Sequence, residues 1–136
     1  MEENEVVQIA SVIVPAGEYY VGDPCYGVPN DRWMEWLEVA DYLRQHRILT
    51  ASLDGYPVVG VGTKYGDGSY VGGPGLEFPV DAGLIGIVAK EISKSDPHGM
   101  HLVTFVRPFE CSYDDWQGRI TIGHITIDTE EAGWES

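Results

Sequence analysis

Two short stretches carry the residue types best suited to chemistry. Gly22-Asp23-Pro24-Cys25-Tyr26 and Gly66-Asp67-Gly68-Ser69-Tyr70 share the pattern Gly-Asp-small-(Ser or Cys)-Tyr. An aspartate beside glycine accepts hydrogen bonds from amides two or three residues on and so closes an Asx turn, while glycine or proline supplies the unusual or fixed dihedral. The same carboxylates have a second use if Asp23 and Asp67 converge with Asp81. Flanked by Cys25, Tyr26, Tyr65, Ser69 and Tyr70, they would form a ligand-binding rim, accepting from the hydroxyl and amine groups of a small ligand or holding a hard cation. The sequence alone leaves both uses open. It contains no EF-hand loop or other complete metal motif, so neither a metal nor a cofactor is expected.

Nucleophilic catalysis would need Cys25 or Ser69 near a histidine oriented by a carboxylate. His124 is the candidate base and Asp23 or Asp67 the candidate orienter, so a hydrolase would use Asp23, Asp67 and His124. No Gly-x-Ser-x-Gly elbow, P-loop or dinucleotide fingerprint supports this. The stretch GVGTKYG, residues 60–66, lacks both the following helix and the glycine spacing. His98 and His101 stand three apart beside Asp96, but Pro97 and Gly99 make the segment a loop rather than a helical metal site. The tyrosines give a different signal. Tyr19, Tyr20, Tyr26, Tyr56, Tyr65 and Tyr70 crowd the expected loops and strand ends, and a tyrosine offers a nucleobase or a partner surface both a stacking face and a polar tip. Lys64, Arg32 and Arg107 are the cations available to balance a phosphate.

The elements that must position these residues are mostly strands. With 17 glycines and 8 tyrosines in 136 residues, turns and strands dominate over helical packing. Residues 6–14 and 18–21 read as strands about Pro15-Ala16-Gly17. Asp54-Gly55 gives a type I′ hairpin signal within ILTASLDGYPVVGVG. Two short strands bend or pair about Asp81-Ala82-Gly83, and residues 100–113 read as one long alternating strand. In RITIGHITID, Ile120 and Ile122 have one parity and Ile125 and Ile127 the other, which predicts a bulge at Gly123-His124. One amphipathic helix is expected over about 30–46, capped by Asn30, with Trp33, Trp36, Leu37, Ala40 and Leu43 as the stripe that anchors it to a sheet. The fold class is therefore α+β: a strongly bent, mainly antiparallel sheet or partial barrel with one helix packed on it. A single domain over 1–136 is expected, with acidic, poorly ordered ends at about 1–5 and 129–136.

Charge narrows the partners. The formal net charge is −14, and seven of the 22 acids lie in the terminal segments, at Glu2, Glu3, Glu5, Asp128, Glu130, Glu131 and Glu135. The eight lysines and arginines are scattered, which opposes direct nucleic-acid binding and binding to an anionic membrane, because both need clustered cations. Homo-oligomerisation stays open. Two cysteines, Cys25 and Cys111, and the absence of a long apolar run point to a cytoplasmic chain with thiols more often reduced than bridged.

Across residues 17–129 the chain resembles a group of small uncharacterised proteins encoded by bacteriophages and bacteria. The residues that carry the likeness are GDPCY at 22–26 before a tryptophan helix, YGDG-Y at 65–70, VDAG-IG at 80–86 and the GH-I-I strand from Gly123. The resemblance brings no activity with it; it implies a phage or prophage origin, and small phage proteins often counteract host defence. The leading expectation is a non-enzymatic protein that sequesters a small nucleotide-like ligand. The alternative is an acidic inhibitor docking on a host enzyme or nucleic-acid-binding protein, and the small hydrolase is third.

Overall fold

The runs PVVGVG and LIGIVA are too continuously apolar for strands with one wet face. The computed structural model, which describes residues 9–42, 47–63, 68–73, 75–114 and 118–128, shows why. They are β4 (Tyr56–Gly62) and β7 (Leu84–Ala89), adjacent near the middle of a sheet covered on both faces. That sheet also contains β2 (Gly17–Gly22), β3 (Ile48–Leu53) and β8 (His101–Phe105), in the order β3-β4-β7-β2-β8. A second, six-stranded sheet joins β1 (Ile9–Val14), β5 (Gly68–Gly73), β6 (Leu76–Val80), β9 (Phe109–Asp114), β10 (Arg119–Ile122) and β11 (Ile125–Asp128), in the order β1-β9-β10-β11-β5-β6. Among the described residues every strand pair is antiparallel.

The larger core lies between the sheets. Val59, Val61, Ile85 and Ile87 meet Tyr70, Phe78, Cys111, Tyr113 and the four isoleucines of β10 and β11. On the other face of the five-stranded sheet, Val58, Val88, Leu49 and Leu53 pack with Trp36, Ala40, Val28 and Met100. Period-2 alternation divides β4 and β7 between these two cores. The fold class is as expected: bent antiparallel sheets, not closed into a barrel, with helix on one face. Among the described residues no helix is long and apolar enough to cross a membrane.

Several elements differ from the sequence expectation. The helix over 30–46 starts as a 3-10 turn, Asn30–Arg32, and continues as α2 (Trp33–Val39). Asn30 is not its cap; its side chain instead accepts from Lys94 Nζ at 2.8 Å. Asp41, at φ 63, lies in the left-handed region just past the helix, and residues 43–46, with Leu43 of the expected stripe, lie outside the described residues. An additional short helix, α1 (Pro24–Gly27), precedes it.

The single strand expected over 100–113 is two. Val106-Arg107-Pro108 separates β8 from β9, and the two belong to different sheets. Pro108 cannot donate to a ladder, and the chain crosses between sheets there. The expected bulge at Gly123-His124 is a two-residue hairpin turn instead, with Ile122 paired to Ile125. Gly123 has φ 58, as a type II′ turn requires at its first central position. Chain reversal repairs the parity as a bulge would, so all four isoleucines reach the core. The Asp54-Gly55 hairpin forms as the sequence indicates, with φ of 54 and 85 at its two turn residues. β6 and β7 bend about 81–83 without pairing and enter different sheets. The expected acidic ends lie outside the described residues.

Candidate ligand-binding site

The first Gly-Asp motif forms at the end of β2. Asp23 is the N-cap of α1, Pro24 takes the first helical position, and Asp23 Oδ1 accepts from Cys25 N at 3.0 Å. The other carboxylate oxygen reaches 58 residues along the chain: Oδ2 accepts from Asp81 N and Ala82 N, both at 2.7 Å. Asp23 is fully buried. It therefore closes its own turn and also binds the β6–β7 bend to the end of β2. Burial pushes its carboxyl above the ordinary carboxylate range, against the opposing pull of the amides of Cys25, Ala82 and Asp81 and of the Cys25 thiol.

Around this strut the structure gathers Cys25, Tyr26 and Asp81. Tyr26 Oη donates to Asp81 Oδ2 at 2.9 Å. Its ring stands edge-on to His98 at 5.5 Å between centroids. Gly99 lets the 97–100 loop approach: it has φ 75, and a Cβ there would lie 2.7 Å from Pro79 Cγ and 3.3 Å from the Tyr26 ring. Burial, and then the hydrogen bond to Asp81, raises the Tyr26 hydroxyl well above its usual value. Burial, followed by the charges of Asp23 and Asp81, pushes the Cys25 thiol up to about 12. A thiol held protonated in this way is a poor nucleophile. Cys25 and Cys111 are both free, and Cys111, also pushed up to about 12 by burial and by Glu110, lies in the core between the sheets.

Beside Asp81 an open groove of about 310 Å³ is lined by Trp33, Leu37, Tyr42, Leu49, Ala82 and Leu84. Trp36 is the helix anchor, fully buried, with Nε1 donating to Val58 O at 3.3 Å. Trp33 stacks on it at 5.4 Å and 24°, and its partly exposed ring faces the groove. Arg32, next in sequence, is engaged by Glu35 and Asp54. Asp81 accepts only the Tyr26 hydroxyl among the described residues, which leaves Oδ1 available at an exposed position.

The remaining sequence candidates are placed differently. Tyr70 is fully buried between the sheets, with its hydroxyl directed to Thr63 Oγ1 at 3.4 Å. Ser69 is half-buried on β5 opposite Pro79. Gly68 pairs with Val80, so the described part of the second motif enters the sheet beside the Asp81 bend. Tyr65 and Asp67, with Lys64, lie outside the described residues.

His124 contacts Phe105, which pairs with Gly17 at the start of β2, whereas Asp23 follows the other end of β2, where Val21 pairs with His101. The length of β8 separates them, about 13 Å at roughly 3.3 Å per residue. Asp23 and His124 therefore do not meet. Among the described residues no three His, Cys, Asp or Glu side chains gather as a metal site.

Sequence reasoning names neither His98 nor Tyr42 for the site, and for Trp33 it favours a sheet anchor over a ligand platform. No sequence signal marks Tyr42, because a helix over about 30–46 places it mid-helix, whereas the helix ends at Val39; the placement of His98 against Tyr26 depends on a fold contact with no local signature. Comparison of the chain with family models, curated proteins and solved structures finds no match.

Proposed function

We propose that the protein is a non-enzymatic binding protein that holds a small nucleotide-like ligand in the Trp33 groove beside Asp81. The observation that carries this is a partly exposed indole, backed by a buried one, facing a groove next to a carboxylate with a free oxygen. Indole gives a base a stacking platform, and Asp81 Oδ1 suits an exocyclic amine or a sugar hydroxyl. Charge orients the ligand. Among the described residues Arg32 is spent on two carboxylates and Lys94 on Asn30, so the rim offers phosphate no uncommitted cation. Recognition is therefore by base and sugar, with any phosphate pointing to solvent. The protein holds the ligand without converting it, as the high Cys25 thiol pKa and the separation of His124 from Asp23 favour. In a phage-encoded protein that activity would serve to sequester a host signal.

Calorimetry and native mass spectrometry against nucleosides, nucleotides and cyclic dinucleotides test this. Binding by at least one member is expected, weakened about 10-fold or more in Trp33→Leu, in line with roughly 1–3 kcal/mol for a base–aromatic stack. Absence of binding across the panel overturns it.

A second reading rests on the outer face of α2. Met34 and Val39 are exposed there among Glu35 and Glu38, and Tyr42, just past the helix at the rim of the groove, is exposed beside Asp41. An apolar patch set in acid suits a basic cleft on a host protein. In that case capture from host lysate falls steeply between 0.1 and about 0.5 M salt and is lost in Met34→Lys, while Trp33→Leu leaves it intact.

A further inference from the structure

The other end of the sandwich holds a second cleft, of about 420 Å³, between the β8–β9 crossing and the β10–β11 hairpin. Its floor is aromatic: Phe105 and Phe109 stack with centroids 3.7 Å apart at 15°, backed by the Tyr19 ring. Both walls are fixed. Gly123 N donates to Glu110 O at 2.9 Å, and Gly123 lies so close to Phe105 that a Cβ there would come within 2.6 Å of the ring. The lip carries Val106, 83% exposed, beside the aromatic floor.

Two nitrogen donors border this apolar space. Arg107 is exposed and makes no ion pair or hydrogen bond among the described residues, in a chain of net charge −14. The His124 ring rests on Phe105 at 5.7 Å and makes no hydrogen bond among the described residues. A guanidinium donates a rigid fork that matches a carboxylate, and an imidazole supplies another N–H even when neutral. Glu110 also borders the cleft and, with the overall negative charge, opposes anions in proportion to their charge, so a monocarboxylate is disfavoured less than a dianion and relies on Arg107 to offset the repulsion.

We infer that this cleft binds a small organic carboxylate with an aromatic or short alkyl body, its carboxylate on Arg107 and His124 and its apolar part on Phe105, Phe109 and Val106. The volume is at the lower end of the roughly 300–1,000 Å³ typical of small-molecule sites, and the pre-fixed walls reduce the ordering cost of binding.

The test is titration of the full chain, followed by amide chemical shifts, with sodium benzoate and hexanoate. Benzamide, acetate and phenyl phosphate serve as controls. Benzoate and hexanoate are expected to give saturable shifts at Val106, Arg107, Gly123 and His124. Benzamide and acetate should each bind at least about 10-fold more weakly, since one lacks the charge and the other the body. Arg107→Ala should weaken benzoate about 10-fold, the equivalent of about 1.4 kcal/mol, with Arg107→Lys between the two. Arg107 lies on an exposed crossing, so these variants keep the fold. The inference is overturned by absence of saturable shifts, by equal binding of benzoate and benzamide, by unchanged affinity in Arg107→Ala, or by phenyl phosphate binding more tightly than benzoate.

Discussion

The Asp23 end and the Arg107 end of the sandwich use polar groups in opposite ways. Asp23 is buried, with one oxygen on the amide of its own turn and the other on two amides of a distant bend. Arg107 and His124 are exposed, and neither makes a hydrogen bond or ion pair among the described residues. A buried charge persists only where partners compensate for lost water, so Asp23 is committed to architecture. An exposed, uncommitted donor over an apolar floor has its chemistry in reserve. The same contrast recurs within the first end, where Asp23 is spent and Asp81, held in place by it, keeps a free oxygen.

The contrast breaks most visibly at Asp23. Asp23→Ala leaves three part-buried amides without their acceptor, and a loss of about 2–4 kcal/mol is expected in urea unfolding, since each orphaned donor costs about 1–3 kcal/mol when fully buried and less where water can reach it. A loss below about 1 kcal/mol would mean that the strut is dispensable. Gly99→Ala comes next, with about 1–3 kcal/mol expected from the left-handed backbone and the contact with Pro79. Urea unfolding of Gly99→Ala beside Gly55→Ala separates the two causes, because Gly55 also has positive φ but nothing lies within 4 Å of a Cβ built there.

A smaller effect concerns pH. Because burial raises the folded Asp23 carboxyl above the ordinary aspartate value of about 3.9, the native state binds the proton more tightly than the unfolded chain. Its contribution to stability is fully present below that value and is lost as pH rises through the raised folded value. The slope of unfolding free energy across this window is expected to flatten in Asp23→Asn, as measured by urea titration at successive pH values. The smallest effect belongs to the other end: Arg107→Ala should change stability by no more than about 0.5 kcal/mol, since it removes a side chain without partners among the described residues.

Local chemistry was readable from the sequence wherever neighbours along the chain decide it. Asp54-Gly55 specifies its hairpin within two residues, and Asp23-Pro24 specifies a capped turn. Ambiguity arose where two structures satisfy one pattern. Parity at Gly123-His124 is repaired equally by a bulge or a reversal, and only the pairing of Ile122 with Ile125 distinguishes them. The alternation through Val106 and Arg107 concealed the break that Pro108 marks. Long-range partners had no local signature: Oδ2 of Asp23 finds its amides 58 and 59 residues away, and Asn30 is drawn from capping by Lys94, 64 residues on. Tyr70 carries the same motif position as Tyr26 yet faces the core, because β5 runs inside a sandwich whose two-sheet packing the motif does not encode.

The most direct test of the ligand-binding account is a titration with matched nucleosides and nucleoside monophosphates, followed through the Trp33 indole and the amides of Asp81, Ala82 and Leu84. The predicted result is saturable shifts at these positions for at least one nucleoside, with its monophosphate binding no more tightly. Absence of saturable shifts there for every pair, or affinity that rises with phosphate, would contradict it.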